Sequence, residues 1–109
     1  MTKRTSFTKA FVLGNIDHVL LAHIHEKATH GYALITRIRE DFGFLLGPST
    51  IYPSLKFLED NGLVRSHWEL GKGKPKKSYM ITPKGKQNVR HQQMEINEIL
   101  TKMGEIVTC

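Results

Sequence analysis

The stretch GPSTIYPSLKFLEDNGLVRSHWELGKGKPKKSYMIT, residues 47–82, combines a helical pattern with a β-hairpin pattern. Pro48 suits the first position of a helix, where its missing N–H has no hydrogen bond to lose. Three apolar residues then recur at the helical spacing i, i+4 and i+7, namely Ile51, Leu55 and Leu58. Asn61-Gly62 predicts the end of the helix, because glycine readily adopts the left-handed conformation that follows many helices. The sequence therefore predicts a helix that begins at Pro48 and ends at this pair.

The other side of this predicted helix carries short polar, aromatic and cationic side chains: Ser49, Thr50, Tyr52, Pro53 and Lys56. At about 100° per residue they fall away from the apolar stripe. Pro53 removes one backbone hydrogen bond, a loss that is tolerated so close to the helix start. Hydroxyls and amines on such a face can reach base edges and phosphates in a major groove. An ordinary solvated helix face has the same composition, so the helix alone does not decide between the two readings.

The residues after Gly62 predict two short strands joined by a basic tip. Residues 63–70 are too few and too rich in β-forming side chains for another helix, and residues 78–82 form the returning strand. The tip between them contains glycines and a proline for the turn and four lysines: Lys72, Lys74, Lys76 and Lys77. Four like charges repel one another unless an anionic partner is brought to them. This order of elements is typical of the recognition helix and wing of a winged helix-turn-helix.

Upstream, an apolar stripe predicts a second helix from about His30 to Phe42, and the turn at residues 43–47 then leads to the recognition helix. Three residues of this second helix are candidate contacts to the DNA backbone: Tyr32, Arg37 and Arg39. Solvent-exposed, paired arginines remain an equal alternative.

The chain begins with a short basic segment, Thr2–Ser6, for which a frayed terminus or a phosphate contact is expected. Phe7–Gly14 predicts a helical turn that packs on the body or on a second subunit. Asn15 is the predicted N-cap of a further helix that starts at Ile16. On that helix His23 falls on the apolar face, so a partly buried, hydrogen-bonded histidine is expected.

The last helix is predicted to run from about Pro83 to Val107, with Thr82 as its N-cap. Its seam of apolar residues steps 4, 3, 4, 3, 4 through one polar position, Gln93, as in a heptad repeat. The candidate dimer-interface residues on this seam and beside it are Val89, Ile96, Ile99, Leu100, Met103 and Val107. A helix of this length extends past so small a core, so we expect dimerisation. The alternative is a helix that folds back on its own domain.

The order and spacing of several motifs resemble the PadR family of transcriptional regulators over about residues 13–90. These motifs are His30-Gly31-Tyr32, the block from Ser49 to Val64, Trp68, Lys74-Pro75-Lys76-Lys77, and Tyr79-x-Ile81-Thr82-x-x-Gly85. The resemblance implies a dimeric, DNA-binding winged helix, usually a repressor and often released by a small molecule. The wing of the family typically carries arginines and a second aromatic residue, whereas this chain has lysines and Ser78. Lysine lacks the two-pronged geometry with which arginine reads bases.

Composition and charge agree with an anionic partner. The 109 residues carry a formal net charge of +6 and a pI of about 9.6. The charge is local, because residues 72–90 contain seven basic residues and no acidic one. The length predicts one compact unit, with residues 1–82 as the winged helix-turn-helix and residues 83–109 as the dimerisation helix. No signal peptide or membrane-length apolar run is visible, so a cytoplasmic protein without a membrane partner is expected.

Catalysis and metal binding find little support in the sequence. No paired carboxylates, activated nucleophile or phosphate loop is recognisable, so no enzyme and no cofactor are predicted. His91 and Glu95 lie one helical turn apart, but one pair is half a metal site, and no metal is predicted. Cys109 is the single cysteine and excludes an intramolecular disulfide.

The fold class predicted from the sequence is mainly α with a small β-hairpin, a winged helix-turn-helix plus a long C-terminal dimerisation helix. The predicted function is a homodimeric transcriptional regulator, a repressor, that binds a palindromic site in double-stranded DNA. One alternative is a winged helix used as a protein-interaction module. Another is a sensor of an unknown small-molecule effector with a secondary DNA role. By family analogy such effectors bind between the terminal helices, often against tryptophan, and this chain has its one tryptophan, Trp68, in the wing.

Overall fold

The architecture, seen in a computed structural model that describes residues 6–109, is mainly helical with a small antiparallel sheet. The elements in chain order are α1 (Ser6–Gly14), α2 (Ile16–Glu26), β1 (Thr29–His30), α3 (Gly31–Phe42), α4 (Pro48–Asp60), β2 (Val64–Glu69), β3 (Lys76–Ile81) and α5 (Pro83–Thr108). The predicted fold class, a winged helix with a long last helix, is confirmed. The basic segment Thr2–Ser6 falls largely outside the described residues, and its predicted behaviour stays a prediction.

The sheet has three strands rather than the predicted two, in the order β1-β3-β2. The added strand is short: Thr29 pairs with Tyr79 and His30 pairs with Ser78. Two residues are too few to show a period-two pattern, which is why the sequence did not predict this strand. It fastens the start of α3 to the wing hairpin.

The hairpin strands also have different bounds from those predicted. β3 begins at Lys76, and the register pairs Glu69 with Lys76 and Trp68 with Lys77. Lys76 and Lys77 are therefore strand residues, and the prediction that they belong to the tip was wrong. Turn composition marks where a hairpin reverses, but it does not set how far the ladder of hydrogen bonds extends.

The core lies between α2, α3 and α4 and continues under the sheet. Its largest fully buried side chains are Leu20, Leu21, Ile24, Leu34, Ile38, Ile51, Leu55 and Leu58. The apolar stripe of α4 accordingly faces inward, as its spacing predicted. Because that stripe is fixed by burial, the opposite face of α4 is held toward solvent.

The helix ends follow simple backbone chemistry in most places. Gly43 (φ 83°) and Gly62 (φ 72°) adopt the left-handed conformation after α3 and α4. Thr82 is the N-cap of α5, and its Oγ1 accepts a hydrogen bond from the Gly85 N–H at 3.0 Å. Asn15 precedes α2 but does not cap it through its side chain. Its Nδ2 donates back to the Phe11 carbonyl at 2.8 Å instead, so Asn15 occupies the predicted N-cap position without making the side-chain hydrogen bond of a cap.

The long helix α5 divides into two parts by its surroundings. Near its start, His18 of α2 lies within hydrogen-bond distance of the Gln92 (3.0 Å) and Gln93 (2.8 Å) side-chain oxygens. Val89 is only 5% exposed and packs in the core of its own domain. Its prediction as an interface residue was therefore wrong, because heptad spacing cannot distinguish a partner chain from the core of the same chain. From Asn97 onward every residue of α5 is exposed.

Candidate nucleic-acid interface

The outer face of α4 presents most of the residues that the sequence predicted there. Ser49, Pro53 and Lys56 are exposed, Thr50 is partly exposed, and Tyr52 is 43% exposed. The Lys56 ammonium lies 3.2 Å from the Asp60 carboxylate one turn later, a surface pair that fixes its side chain only weakly. The face is solvent-exposed and mainly polar.

Tyr52 is positioned by a close contact with the start of α3. A Cβ placed on Gly31 would lie only 2.7 Å from the Tyr52 ring and hydroxyl. Any larger residue at position 31 therefore forces the ring away, which explains the glycine. The motif His30-Gly31-Tyr32 thus serves the recognition helix as well as the entry to α3.

A groove lies between the start of α3 and the wing, and Tyr52 is the residue of α4 that lines it. Its volume is about 810 Å³, and α3, α4, β2 and β3 all contribute to its walls. The lining residues that carry aromatic or cationic side chains include Tyr32, Arg37, Tyr52, Trp68, Lys76 and Lys77. A groove with aromatic and basic walls suits a chain of sugars and phosphates.

Trp68 is a groove residue that the sequence analysis did not assign to DNA. Its side chain is 62% exposed, and the Lys77 ammonium lies 5.6 Å from the ring centroid. Alternation places Trp68 on the same sheet face as the buried Val64, but the sheet extends past the core, so that face becomes solvent-exposed toward its tip. An aromatic residue near the end of a predicted wing strand is the signal that identifies it.

Tyr79 lies behind the groove and is 4% exposed. Burial, with further contributions from the nearby Glu59 and Tyr52, raises the pKa of Tyr79 above its ordinary value of 10.0. The hydroxyl therefore stays protonated in any physiological buffer. On the same side of the sheet, the Ser66 hydroxyl donates to the Glu59 carboxylate at 2.5 Å, and this bond ties β2 to α4.

The four wing lysines are not equivalent in position. Lys72 and Lys74 are exposed in the turn, where Gly73 has φ 91°. Lys76 faces Glu69 across the strand pair, and Lys77 is partly covered against Trp68. Only the first two are free of such neighbours, so they can move toward an anion at the smallest cost.

The two predicted backbone arginines of α3 also differ. Arg37 is bonded to the Glu26 carboxylate, and it lies 3.4 Å from the His23 carbonyl oxygen. This engagement within the protomer favours the alternative of a paired arginine over a free phosphate contact. Arg39 is exposed, and Tyr32 is 74% exposed at the rim of the groove.

Histidine positions agree with structural roles. His23 is 8% exposed, with Nδ1 2.7 Å from the Val19 carbonyl and Nε2 2.8 Å from Asp41, so the predicted hydrogen-bonded core histidine is confirmed. His91 lies 3.7 Å from Glu95. Among residues 6–109 no group of three or more histidine, cysteine or acidic side chains is arranged to hold a metal ion.

Within the same range of residues, no helix is both long enough and apolar enough to cross a membrane.

Comparison with known proteins identifies relatives of this chain. It is 29% identical over 80 residues, 73% of its length and 74% of the relative, to the transcriptional regulator Rv3488 of Mycobacterium tuberculosis. The crystal structure of a PadR family transcriptional regulator from Eggerthella lenta superposes with a TM-score of 0.83 at 26% identity, covering 94% of this chain and 89% of that one.

The crystal structure of Bacillus subtilis PadR in complex with operator DNA superposes with a TM-score of 0.66 at 27% identity. That alignment covers 72% of this chain and 46% of the Bacillus chain. Residues 20–91, well over half of the sequence, match the family described as the Transcriptional regulator PadR-like family. Its members regulate transcription, which agrees with the prediction that the chain is not an enzyme. The chain belongs to the PadR-like family of transcriptional regulators.

Proposed function

We propose that this protein is a sequence-specific, DNA-binding transcriptional repressor that acts as a homodimer on a palindromic operator. The observation that carries the proposal is the exposed polar face of α4 together with the lysine-rich hairpin, which share Tyr52 through the groove between α3 and the wing. The crystallised Bacillus subtilis PadR, a structural relative, is in complex with operator DNA. Repression, rather than activation, rests on the family resemblance.

In this proposal α4 enters the major groove and its outer residues read base edges. Those residues are Ser49, Thr50, Tyr52, Pro53 and Lys56. Lys72 and Lys74 at the wing tip neutralise phosphate, with Lys76 and Lys77 at its base, and Tyr32 and Arg39 contact the backbone from α3. Phosphate contacts set the register of the protein on the duplex, whereas base contacts give the specificity.

The second surface in the proposal is the distal half of α5. Its exposed apolar side chains are Ile99 (60%), Leu100 (52%), Met103 (53%), Ile106 (62%) and Val107 (78%), and Ile96 is half-buried beside them. A contiguous exposed apolar stripe of this kind marks an interaction surface. Helix α1, with Phe7 and Phe11 exposed and their ring centroids 6.1 Å apart, supplies further apolar surface for a second subunit. The distal half of α5 within residues 83–109, together with α1, is accordingly assigned to dimerisation, and the rest of residues 1–82 to DNA.

Selection of bound fragments from random duplex DNA tests the proposal. A dimer of this kind should enrich a palindromic consensus, and a reporter carrying that consensus at its promoter should be repressed in the cytoplasm of a bacterial host. Binding without any enrichment over random sequence would contradict specific recognition. That outcome would favour the alternative, a winged helix that serves as a protein-interaction module.

A further inference from the structure

Glu69 is an unexpected residue in the wing. It is the one acidic residue between Asp60 and Glu95, and it ends β2 at the base of the lysine tip. A carboxylate here opposes the approach of phosphate, so its presence needs another reason.

The side chain of Glu69 reaches across the sheet to the start of α3. Its Oε1 lies 2.7 Å from His30 Nε2, and its Oε2 lies 3.7 Å from His67 Nε2. His30 belongs to β1 and Glu69 to β2, which are the two outer strands, with β3 between them. The contact therefore spans the central strand and is not a pairing of neighbours.

A small residue on the central strand leaves room for this contact. Ser78 pairs with His30 on one side and with His67 on the other, so the three side chains stand on one sheet face. Ser78 is only 5% exposed, although it lies in a thin, solvated sheet. The histidines and Glu69 extend over it, and a bulky side chain at this position would stand between them.

We propose that His30 and Glu69 form a clasp over Ser78 that holds the base of the wing at a fixed distance from α3 and α4. Both are positioning residues for DNA binding, and this inference rests on the proposed function. The tip beyond the clasp, residues 70–75, is entirely exposed, so its placement depends on the strand ends. A fixed wing is needed if tip and recognition helix are to contact one duplex together.

The charged groups around Glu69 keep its carboxylate ionised. The hydrogen bond from His30 is the largest cause that lowers the pKa of Glu69 below 4.5, and the charges of His30, His67 and Lys76 act in the same direction. Glu69 therefore stays ionised down to acid pH, and its contribution is lost only when the pH falls through that lowered value.

A double-mutant cycle on DNA affinity tests the clasp. The dissociation constants for one selected duplex are measured by fluorescence anisotropy for the wild type, His30→Gln, Glu69→Gln and the double variant in one buffer at neutral pH. If the two residues act through their mutual contact, either single substitution already breaks it. The second substitution then causes little further loss of affinity. We expect the affinity loss of the double variant to be about twofold to fivefold smaller than the product of the single losses, the range for an exposed ion pair.

Matched variants separate this from independent charge effects. The corresponding cycle with His67→Gln and Glu69→Gln, across the longer distance of 3.7 Å, should be close to multiplicative. Ser78→Tyr should abolish the coupling between His30 and Glu69 without removing either side chain. Multiplicative effects of His30→Gln and Glu69→Gln would overturn the clasp and leave two side chains that act independently.

A measurement without DNA keeps failure of the clasp distinct from failure of the proposed function. In the free protein, Glu69→Gln should speed amide hydrogen exchange in residues 67–69 and 76–78 and leave α2 unchanged. Faster exchange in a protein that selects no DNA would support the clasp and contradict the function. Selective DNA binding, with unchanged amide exchange and no coupling between His30 and Glu69, would support the proposed function and contradict the clasp.

Discussion

Two parts of the molecule extend beyond its core, and they differ in chemistry. The wing and the outer face of α4 expose lysines, hydroxyls and aromatic rings, whereas the distal half of α5 exposes isoleucine, leucine, methionine and valine. Solvation alone explains neither surface, since clustered cations repel one another and contiguous apolar surface is costly in water. The two surfaces fit the two partners of the proposed function, an anionic polymer for one surface and a second copy of the chain for the other.

The largest effect is expected from Leu100→Glu, which places a charge on the apolar surface of the distal half of α5. Dimerisation would bury this carboxylate without a partner, at a cost of about 3 kcal/mol or more, so the dimer dissociation constant should rise about a hundredfold or more. The core lies elsewhere and the chain should stay folded. Sedimentation velocity measures the change in mass.

The matched control for that variant is Thr101→Glu, which adds the same charge at an exposed position about 100° around the helix. It should remain dimeric. If Leu100→Glu is also dimeric, the apolar stripe of α5 is not the interface.

The second prediction concerns the cationic surface. Replacement of Lys74, Lys76 and Lys77 by alanine should weaken binding to all duplexes alike. The slope of log affinity against log salt concentration should become less negative by about 0.9 for each phosphate that the protein no longer neutralises. Because Lys76 faces Glu69, Lys76→Ala alone should change the slope less than Lys74→Ala.

Lys102→Ala, on the distal part of α5, is the control and should leave the slope as it is. An unchanged slope in the triple variant would show that the wing does not touch DNA.

The third prediction concerns specificity and the packing of Tyr52 against Gly31. Ser49→Ala and Tyr52→Ala should each reduce discrimination between operator and random DNA by about 1–3 kcal/mol if the substitution removes a hydrogen bond to a base. Gly31→Ala should reproduce part of the Tyr52 effect, because its Cβ displaces the ring. The measurement is the ratio of specific to non-specific affinity for each variant.

The control is Gly14→Ala, whose added Cβ meets nothing within 4 Å. It should keep the wild-type ratio of specific to non-specific affinity. If Ser49→Ala, Tyr52→Ala and Gly31→Ala all keep full discrimination between operator and random DNA, this face of α4 does not contact the bases.

The smallest effect is expected from Gly104→Ala. Gly104 lies inside α5, and an added Cβ meets nothing within 4 Å. Alanine should raise the free energy of unfolding by up to about 1 kcal/mol, since glycine is a poor helix former. Thermal unfolding followed by circular dichroism measures this gain, and a loss of stability would place a close neighbour at this position in the dimer.

The elements predicted well from the sequence are those determined by residues close together in the chain. The stripe Ile51, Leu55 and Leu58 and the proline and glycine at the helix ends are readable within one segment, and so α4 was placed correctly. Strand β1, the extension of β3 to Lys76 and the burial of Val89 depend on residues far apart in sequence. The contacts of Tyr52 with Gly31 and of His30 with Glu69 are of the same kind, because neither has a spacing rule that links its two residues.

The central claim is that one surface binds DNA while the other pairs two chains, so that two half-sites are occupied together. Hydroxyl-radical footprinting of the selected duplex by the wild type and by Leu100→Glu tests both halves of this claim at once. The wild type should protect two half-sites about one helical turn, roughly 34–36 Å, apart. At the same concentration Leu100→Glu should protect neither, because the second contact is no longer intramolecular. Identical two-site footprints for both proteins, or a single half-site for the wild type, would contradict it.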